Sequence, residues 1–326
     1  MYPAGWPGVV ARQITLHSGI RLRIAEAGDS RSPVVLLLHG WGASAYMWRH
    51  WLAPLAAAGW RSVAVDLPGH GLSDKPDEPE RYRLEAQVAL LRELADALCL
   101  ERFSIVAQSM AGAIALELGV HGEQRLARLV LINPSCFGRV RLAPIARVMS
   151  AAIGPTVLPR LVRRWIVARA HRLAYGDPSR ITPRDVDEYW APSQFPGYAR
   201  SMRRLLREFS WEPLTVDEVR ARVGALAVPP MVILGGLDRV VQGARDHVLA
   251  LVDGGASIEL RELADGGHAL NEERPDDVIP LALSYLEQAG APTAPTAPTA
   301  PTAPTAPTAR TAPTAPRQVD ASDLMR

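Results

Sequence analysis

The sequence of 326 residues has little of what several protein classes require. Cys99 and Cys136 are its only cysteines, so a disulfide framework is not expected and both thiols are predicted to be buried in a reducing compartment. The longest apolar stretches are interrupted by Arg or Pro well before the roughly 18 residues that a membrane span needs. The amino-terminal residues have no basic region followed by an apolar run, so no secretory signal is expected. These absences predict a cytoplasmic protein.

A large charge imbalance is also absent. The formal net charge is +2, so we do not expect a nucleic-acid partner. Lys75 is the only lysine, and the arginines are unevenly placed: residues 139–207 contain fourteen arginines and four acidic residues. This local excess predicts either an ordinary solvated basic surface or one that attracts anionic substrates or lipid headgroups.

Short apolar runs alternate with helical patterns along most of the chain. The runs are VVLLLHG, RSVAVDLPGHG, FSIVAQS, LARLVLINPS, PPMVILGGLD and SIELREL. Strands that alternate with helices favour right-handed crossovers, so the fold class is predicted to be α/β with a doubly wound, mostly parallel sheet. Residues 12–27 alternate between apolar and polar side chains around a turn, which predicts a hairpin at an antiparallel edge.

The alternation is interrupted once, and this interruption divides the chain. Residues 1–136 and 223–290 are predicted to form the two parts of the sheet domain, and 137–222 a helical cap at the edge where open α/β sheets bind ligands. Residues 291–326 contain an Ala-Pro-Thr repeat, which predicts an extended, disordered tail that is either a passive spacer or a tether.

Ser109 lies in IVAQSMAGAIAL, between an apolar strand pattern and a helical pattern. A tight turn from a strand into a helix exposes a serine hydroxyl above the sheet edge and tolerates only small residues two positions away. Ala107 and Ala111 meet that requirement, although glycines are commoner there. Taken alone, the motif fits a nucleophile elbow or a serine that caps the helix.

Two further residues match a catalytic serine in chain order. Asp238 follows a predicted strand, and His268 follows the next one in ADGGHALNEERP. A serine hydroxyl needs a base to accept its proton, and the base needs a third group to hold its orientation. Alone, Asp238 would be an ordinary turn or cap residue and His268 an ordinary loop histidine; the order Ser, Asp, His is the one expected for this type of sheet.

The loop HGWGAS completes the predicted site. Acyl chemistry generates an oxyanion, and we expect the backbone N–H groups of Trp41 and Met110 to bind it. Gly40 and Gly42 allow the loop to bend near the substrate, and His39 is expected to shape the loop through backbone hydrogen bonds. His70 is assigned a similar structural role. No H-x-H or H-E-x-x-H spacing occurs, so no metal site is predicted.

The segments HGWGAS, DLPGHGLSDKP, AQSMAG, GGLDRVV and GGHALNEERP together resemble the α/β-hydrolase superfamily, in its branch of capped serine esterases, lipases and carbon-carbon bond hydrolases. The resemblance implies a cofactor-free enzyme with Ser109 as nucleophile, His268 as base and Asp238 as its orienting acid. Some relatives carry the acid after the preceding strand, but INPSC has no carboxylate. Haloalkane dehalogenases and epoxide hydrolases of this fold have an aspartate at the elbow, where this chain has Ser109.

The predicted reaction is hydrolysis of a carboxylic ester, and the resemblance favours small to medium, largely apolar substrates. The alternatives are hydrolysis of a carbon-carbon bond beside a ketone in a vinylogous diketone, acyl transfer through the same acyl-enzyme, and a binding protein that retains the pocket. Contact of the basic cap with a membrane surface is a further hypothesis. The substrate's identity, the oligomeric state and the role of the tail stay open.

Overall fold

The apolar runs form strands in the computed structural model, which describes residues 2–140, 163–212 and 214–288. The strands are β1 Val10–Thr15, β2 Arg21–Ala27, β3 Val34–Leu38, β4 Arg61–Val65, β5 Phe103–Gln108, β6 Leu126–Ile132, β7 Arg139–Val140, β8 Met231–Gly235, β9 Val241–Gln242 and β10 Glu259–Leu263. The predicted hairpin and the predicted parallel strands are all present.

Eight of these strands form one sheet in the order β1-β2-β4-β3-β5-β6-β8-β10. β1 and β4 each pair antiparallel with β2, and the remaining pairs are parallel. The sheet is therefore mostly parallel with an antiparallel edge, which confirms the predicted fold class. Its parallel strands end at one common edge, and the turns after β5, β8 and β10 meet there.

Ten α-helices lie among the described residues; eight lie between strands along the chain, and the last two follow β10. They are α1 Leu52–Ala57, α2 Leu84–Ala97, α3 Met110–Val120, α4 Arg164–Ala174, α5 Pro183–Trp190, α6 Tyr198–Glu208, α7 Val216–Ala225, α8 Ala244–Asp253, α9 Leu270–Glu273 and α10 Pro275–Glu287. None of them is long and apolar enough to cross a membrane.

Apolar side chains cover both faces of the sheet. Alternate residues of the fully buried strand β3 enter different clusters: Leu36 and Leu38 pack on one face, and Val35 and Leu37 on the other. A strand covered on both faces has no polar side, which explains why this run is continuously apolar. Packing on both faces holds the central strands in place, and it therefore also fixes the positions at which the loops leave their ends.

Three local features differ from what the sequence predicts. Cys99, for which the sequence predicts burial, is exposed, whereas Cys136 is buried as expected. The residue pattern over 47–58 predicts a single helix, but the structure has a short 3-10 helix at Ala45–Trp48 followed by α1 at Leu52–Ala57. The sequence also gave no indication of β7 and β9, which pair antiparallel as a separate two-stranded sheet. Strands of two residues are too short to show alternation, so periodicity cannot detect them.

Residues 137–222, which interrupt the alternation of strands and helices, are called the insert. Its described part contains β7, α4, α5 and α6 and most of α7, which agrees with the predicted helical character. The chain divides into the units Met1–Ala291 and Pro292–Arg326, and every described residue belongs to the first. Predictions for 141–162 and for the Ala-Pro-Thr tail fall outside the described residues.

Candidate active site

Ser109 occupies the single residue between β5 and α3 with φ 53° and ψ −117°. This backbone conformation is sparsely populated for a residue with a side chain and is typical of strained functional positions. Ala107 and Ala111 are completely buried on either side. The Ser109 side chain makes no capping hydrogen bond to α3. The structure therefore favours the hypothesis that Ser109 lies in a strained nucleophile elbow over the hypothesis that it caps the helix.

Asp238 lies in the turn that follows β8, and its side chain is 7% exposed. One carboxylate oxygen, Oδ1, accepts hydrogen bonds from the backbone N–H groups of Val240 at 2.7 Å and Val241 at 2.9 Å. The other, Oδ2, lies 2.8 Å from Nδ1 of His268. The two backbone donors fix the carboxylate, so its free oxygen is held toward the imidazole.

His268 contacts both of the other predicted residues. Its Nε2 atom lies 3.0 Å from Oγ of Ser109, and its Nδ1 atom faces Asp238. When Nδ1 carries the proton, it donates to the carboxylate and leaves Nε2 to accept the proton of the serine hydroxyl. The structure thus brings His268 into contact with Asp238, 30 positions away along the chain, and with Ser109, 159 positions away.

Two buried amide side chains hold the backbone of this histidine. Nδ2 of Asn133 donates to the carbonyl oxygens of Gly267 and His268, both at 3.0 Å, and Nε2 of Gln108 donates to the latter at 3.0 Å. Oδ1 of Asn133 accepts from Gly235 N–H at 2.8 Å. Sequence reasoning missed both residues. Their positions at the ends of β6 and β5, on the same sheet edge as Ser109, were the available signal.

Glu273 holds the same loop from its other side and was also missed. Its carboxylate is 2% exposed and accepts hydrogen bonds from the N–H groups of Gly267 at 2.9 Å, Gly176 at 2.9 Å and Asp177 at 2.6 Å. Gly176 and Asp177 belong to the insert and follow Tyr175, the residue that caps the carboxyl end of α4. This one carboxylate therefore joins the insert to the residue that precedes His268.

The loop after β3 passes directly above the elbow. A Cβ atom added to Gly40 would lie 2.4 Å from Oε1 of Gln108 and 3.0 Å from Cβ of Ser109, so a larger residue there would have to displace the Gln108 amide. Gly42 has φ +76°, a left-handed conformation that favours glycine. Within the described part of the chain, the backbone N–H groups of Trp41 and Met110 have no hydrogen-bond acceptor. They are free to bind an oxygen of a substrate.

His39 and His70 are completely buried beside this loop, with ring centroids 4.8 Å apart. Nδ1 of His39 donates to Gly40 O at 2.7 Å, and its Nε2 accepts from Leu67 N–H at 3.0 Å. Burial lowers the pKa of both imidazoles, which keeps them neutral. His39 is thus a backbone ligand of the loop, while His70 contacts the carbonyl of Pro68. Neither hydrogen-bonds a carboxylate among the described residues.

The described residues contain no group of three or more His, Cys, Asp or Glu side chains placed to hold a metal ion. The chemistry available at the sheet edge is that of a hydroxyl, an imidazole, a carboxylate and two backbone donors. This set can transfer a proton and stabilise a developing oxyanion.

Comparison with known proteins gives one consistent result. The family model described as "Alpha/beta hydrolase family" matches residues 35–281. A 2-hydroxy-6-oxo-6-phenylhexa-2,4-dienoate hydrolase of Comamonas testosteroni is 28% identical over 271 residues, covering 81% of this chain and 90% of the relative. Epoxide hydrolase A of Mycobacterium tuberculosis is 27% identical over 322 residues, covering 86% and 98%.

A solved structure has the same fold. The 2-hydroxy-6-oxo-6-phenylhexa-2,4-dienoate hydrolase of Rhodococcus sp. strain RHA1 matches with a TM-score of 0.67 and 23% identity, covering 86% of this chain and 99% of its own. These relatives share an architecture and act on different bonds. The choice among such reactions therefore has to come from the residues at the sheet edge.

Proposed function

The chain belongs to the α/β hydrolase family, and on that basis we propose that it hydrolyses a carboxylic ester with Ser109 as nucleophile, His268 as base and Asp238 as the orienting acid. The observation that carries the proposal is the continuous contact from hydroxyl to imidazole to carboxylate, at 3.0 Å and 2.8 Å. A serine hydroxyl is a weak nucleophile unless such a base takes its proton.

The first half-reaction follows from this geometry. Oγ of Ser109 attacks the ester carbonyl carbon while its proton passes to Nε2 of His268. The Asp238 carboxylate stabilises the imidazolium that forms. The imidazolium then gives the proton to the alkoxide leaving group as the carbon-oxygen bond breaks, which releases the alcohol and leaves an acyl group on Ser109.

Water completes the cycle by the same path. His268 takes a proton from the water that attacks the acyl-enzyme, and then returns it to Oγ of Ser109 as the acid leaves. In both tetrahedral intermediates the negative oxygen is bound by the N–H groups of Trp41 and Met110. Each such donor is worth about 2.7–4 kcal/mol of barrier in enzymes of this type. No step in the proposal requires a cofactor or a metal.

The insert is assigned the role of a cap. Tyr198 of α6 donates its hydroxyl to Gly42 O at 3.3 Å, and Ala269 N–H donates to Ala174 O of α4 at 2.9 Å. These contacts join the insert to the loop of Trp41 and to the loop of His268. A cap in that position restricts the substrate to small or medium, largely apolar esters.

Hydrolysis of a carbon-carbon bond in a vinylogous diketone is the second candidate. The 28% identity to the 2-hydroxy-6-oxo-6-phenylhexa-2,4-dienoate hydrolase of Comamonas testosteroni favours this candidate. The same serine and histidine could act on a ketone carbonyl. Epoxide opening is less favoured despite the 27% identity to an epoxide hydrolase, because Ser109 stands where that branch has an aspartate.

The test combines covalent labelling with a substrate panel. A fluorophosphonate should label the wild-type protein and not Ser109→Ala, and p-nitrophenyl esters of increasing acyl length should be hydrolysed by the wild type alone. Turnover of a vinylogous diketone would distinguish carbon-carbon bond hydrolysis from ester hydrolysis. Formation of a new ester or thioester when an alcohol or thiol acceptor is added would reveal acyl transfer. Equal ester turnover by Ser109→Ala, or turnover of an epoxide with no ester hydrolysis, would overturn the proposal.

A further inference from the structure

The outward face of α4 mixes arginine with large apolar side chains. Trp165, Arg169, Arg172 and Leu173 are spaced i, i+4, i+7 and i+8, which places them on one side of the helix. Trp165 is 66% exposed, Leu173 43% and the neighbouring Ile166 39%. Three of the eight large apolar side chains exposed among the described residues therefore lie on this one helix. Such a cluster of exposed apolar side chains is typical of a binding surface rather than of an ordinary solvated face.

The arginines of this face are not neutralised by the protein. Within the described residues, the guanidinium groups of Arg163, Arg169 and Arg172 have no carboxylate partner, while Arg164 pairs with Asp187. The chain as a whole carries a formal charge of only +2. The guanidinium groups of Arg163, Arg169 and Arg172 lie on or directly beside one short helix, and together they create a positive potential that attracts anions.

A groove of about 1000 Å³ runs beside this face. Arg163, Arg169 and Arg172 line it together with Trp165 and with Arg239, which follows Asp238 in sequence. Like the three arginines of α4, Arg239 has no carboxylate partner in the part of the chain that the structure describes. The groove therefore extends from α4 to the loop that carries the orienting acid.

We propose that the outward face of α4, from Arg163 to Leu173, docks the protein on an anionic lipid bilayer. Arginine guanidinium groups would bind headgroup phosphates, and Trp165 with Leu173 would enter the boundary between headgroups and acyl chains. Alternation of arginine and apolar side chains suits this environment. Arginine and tryptophan are also enriched in protein–protein interfaces, so binding to an anionic protein is the outcome that the polyglutamate arm of the experiment tests.

Docking by α4 would bring the active site to the membrane surface. The last residue of α4, Ala174, accepts a hydrogen bond from Ala269, which follows His268. Gly176 and Asp177, which follow Tyr175 at the end of α4, bind Glu273. The helix is thus attached to the loop that carries His268, so docking by α4 would hold that loop near the bilayer in which an apolar substrate is dissolved.

The experiment is co-sedimentation of the full chain with vesicles of phosphatidylcholine, with and without phosphatidylglycerol. The Ser109→Ala background prevents lipid hydrolysis and separates this test from the proposed function. We expect binding only to the vesicles that contain phosphatidylglycerol, with loss at high salt. Arg169→Glu/Arg172→Glu should weaken binding by about 25-fold or more, since each basic residue near an anionic surface contributes roughly fivefold.

Arg31→Glu/Arg207→Glu is the matched control. It makes the same charge change at exposed arginines outside α4, and it should bind vesicles within about twofold of the parent. Trp165→Ala should weaken binding without changing its salt dependence, and unfolding temperatures verify that each variant is folded. Absence of binding, equal loss in the control, or binding to polyglutamate but not to vesicles would overturn the proposal.

Discussion

The carboxylate of Glu273 accepts a hydrogen bond from the backbone N–H of Gly267, the residue before His268, at 2.9 Å. The same Oε2 atom accepts from Gly176 of the insert at 2.9 Å. A buried carboxylate shared between two backbone segments fixes their separation, because charge-assisted hydrogen bonds are short and strong. Glu273 is therefore a positioning residue: it sets where the His268 loop lies without contacting the reacting atoms.

Replacing Glu273 by Gln tests this role. The side chain keeps its size but presents an NH₂ group in place of one acceptor oxygen, so at least one backbone donor loses its partner. We expect kcat for an ester to fall by about 10- to 100-fold with little change in KM, since a displaced base costs rate rather than binding. The free energy of unfolding should fall by about 2 kcal/mol.

Steady-state kinetics and urea unfolding measure these two quantities. Fluorophosphonate labelling should slow in parallel with kcat, which a purely structural role for Glu273 would not predict. Glu80→Gln, at an exposed carboxylate, is the control and should leave both kinetics and stability unchanged. Loss of stability with an unaltered kcat would contradict the assignment.

Ser109 allows a prediction about strain. Its φ of 53° costs of order 1–3 kcal/mol for a residue with a Cβ, and glycine avoids most of that cost at an entropic expense of about 0.5–1 kcal/mol. We therefore expect Ser109→Gly to be more stable than Ser109→Ala by about 1 kcal/mol, with neither active. Urea unfolding of the two variants measures the difference, and equal stabilities would mean that the elbow is not strained.

The parts of this site that follow from sequence are those fixed by topology. The carboxyl ends of parallel strands meet at one edge, so Ser109, Asp238 and His268 could be placed near one another from strand order alone. Strand order also places Gln108 and Asn133 at this edge, but it does not predict what they bind. Their contacts and those of Glu273 could not be predicted, because all three side chains bind backbone groups. Every loop has such groups, and no residue pattern marks which of them will lie within reach.

The two glycines that precede His268 illustrate the same limit. From the sequence alone, the pair Gly266 and Gly267 predicts a loop that can bend to bring the imidazole over the sheet edge. At Gly267 the requirement is instead space, because an added Cβ would lie 2.2 Å from the backbone nitrogen of Gly176. The contact joins residues about ninety positions apart, and the sequence of the loop contains no information about it.

His171 predicts how stability depends on pH. Its imidazole is buried on the inner side of α4, where neither ring nitrogen has a hydrogen-bond partner among the described residues, and it packs 4.0 Å from the ring of Tyr189. Burial lowers its pKa from 6.5 to about 4; Arg49 adds to this effect, while Asp185 opposes it. The folded protein therefore keeps His171 neutral at pH values where the unfolded chain would protonate it.

Stability should accordingly be full above pH 6.5 and fall as the pH is lowered toward 4. A pKa of about 4 against 6.5 corresponds to a loss of about 3 kcal/mol over that interval. His171→Phe should lose less stability than wild type between the same two pH values, as measured by urea unfolding. His17→Gln, at an exposed histidine, should follow the wild-type curve; identical curves for all three proteins would exclude His171 as a source.

The final prediction concerns the contact between Gly267 and Gly176. Gly267→Ala places a methyl group against backbone that cannot rotate away, so the loop must shift relative to the insert. Because His268 is the next residue and its Nε2 atom is only 3.0 Å from Oγ of Ser109, a shift of about 1 Å should reduce kcat by roughly 100-fold.

Gly224→Ala in α7 is the matched substitution: an added Cβ there meets nothing within 4 Å. It should raise the free energy of unfolding by about 0.5–1 kcal/mol and leave kcat unchanged. Kinetics and urea unfolding of the pair separate the steric effect from the general effect of replacing glycine, and a fully active Gly267→Ala would show that the insert does not constrain the base.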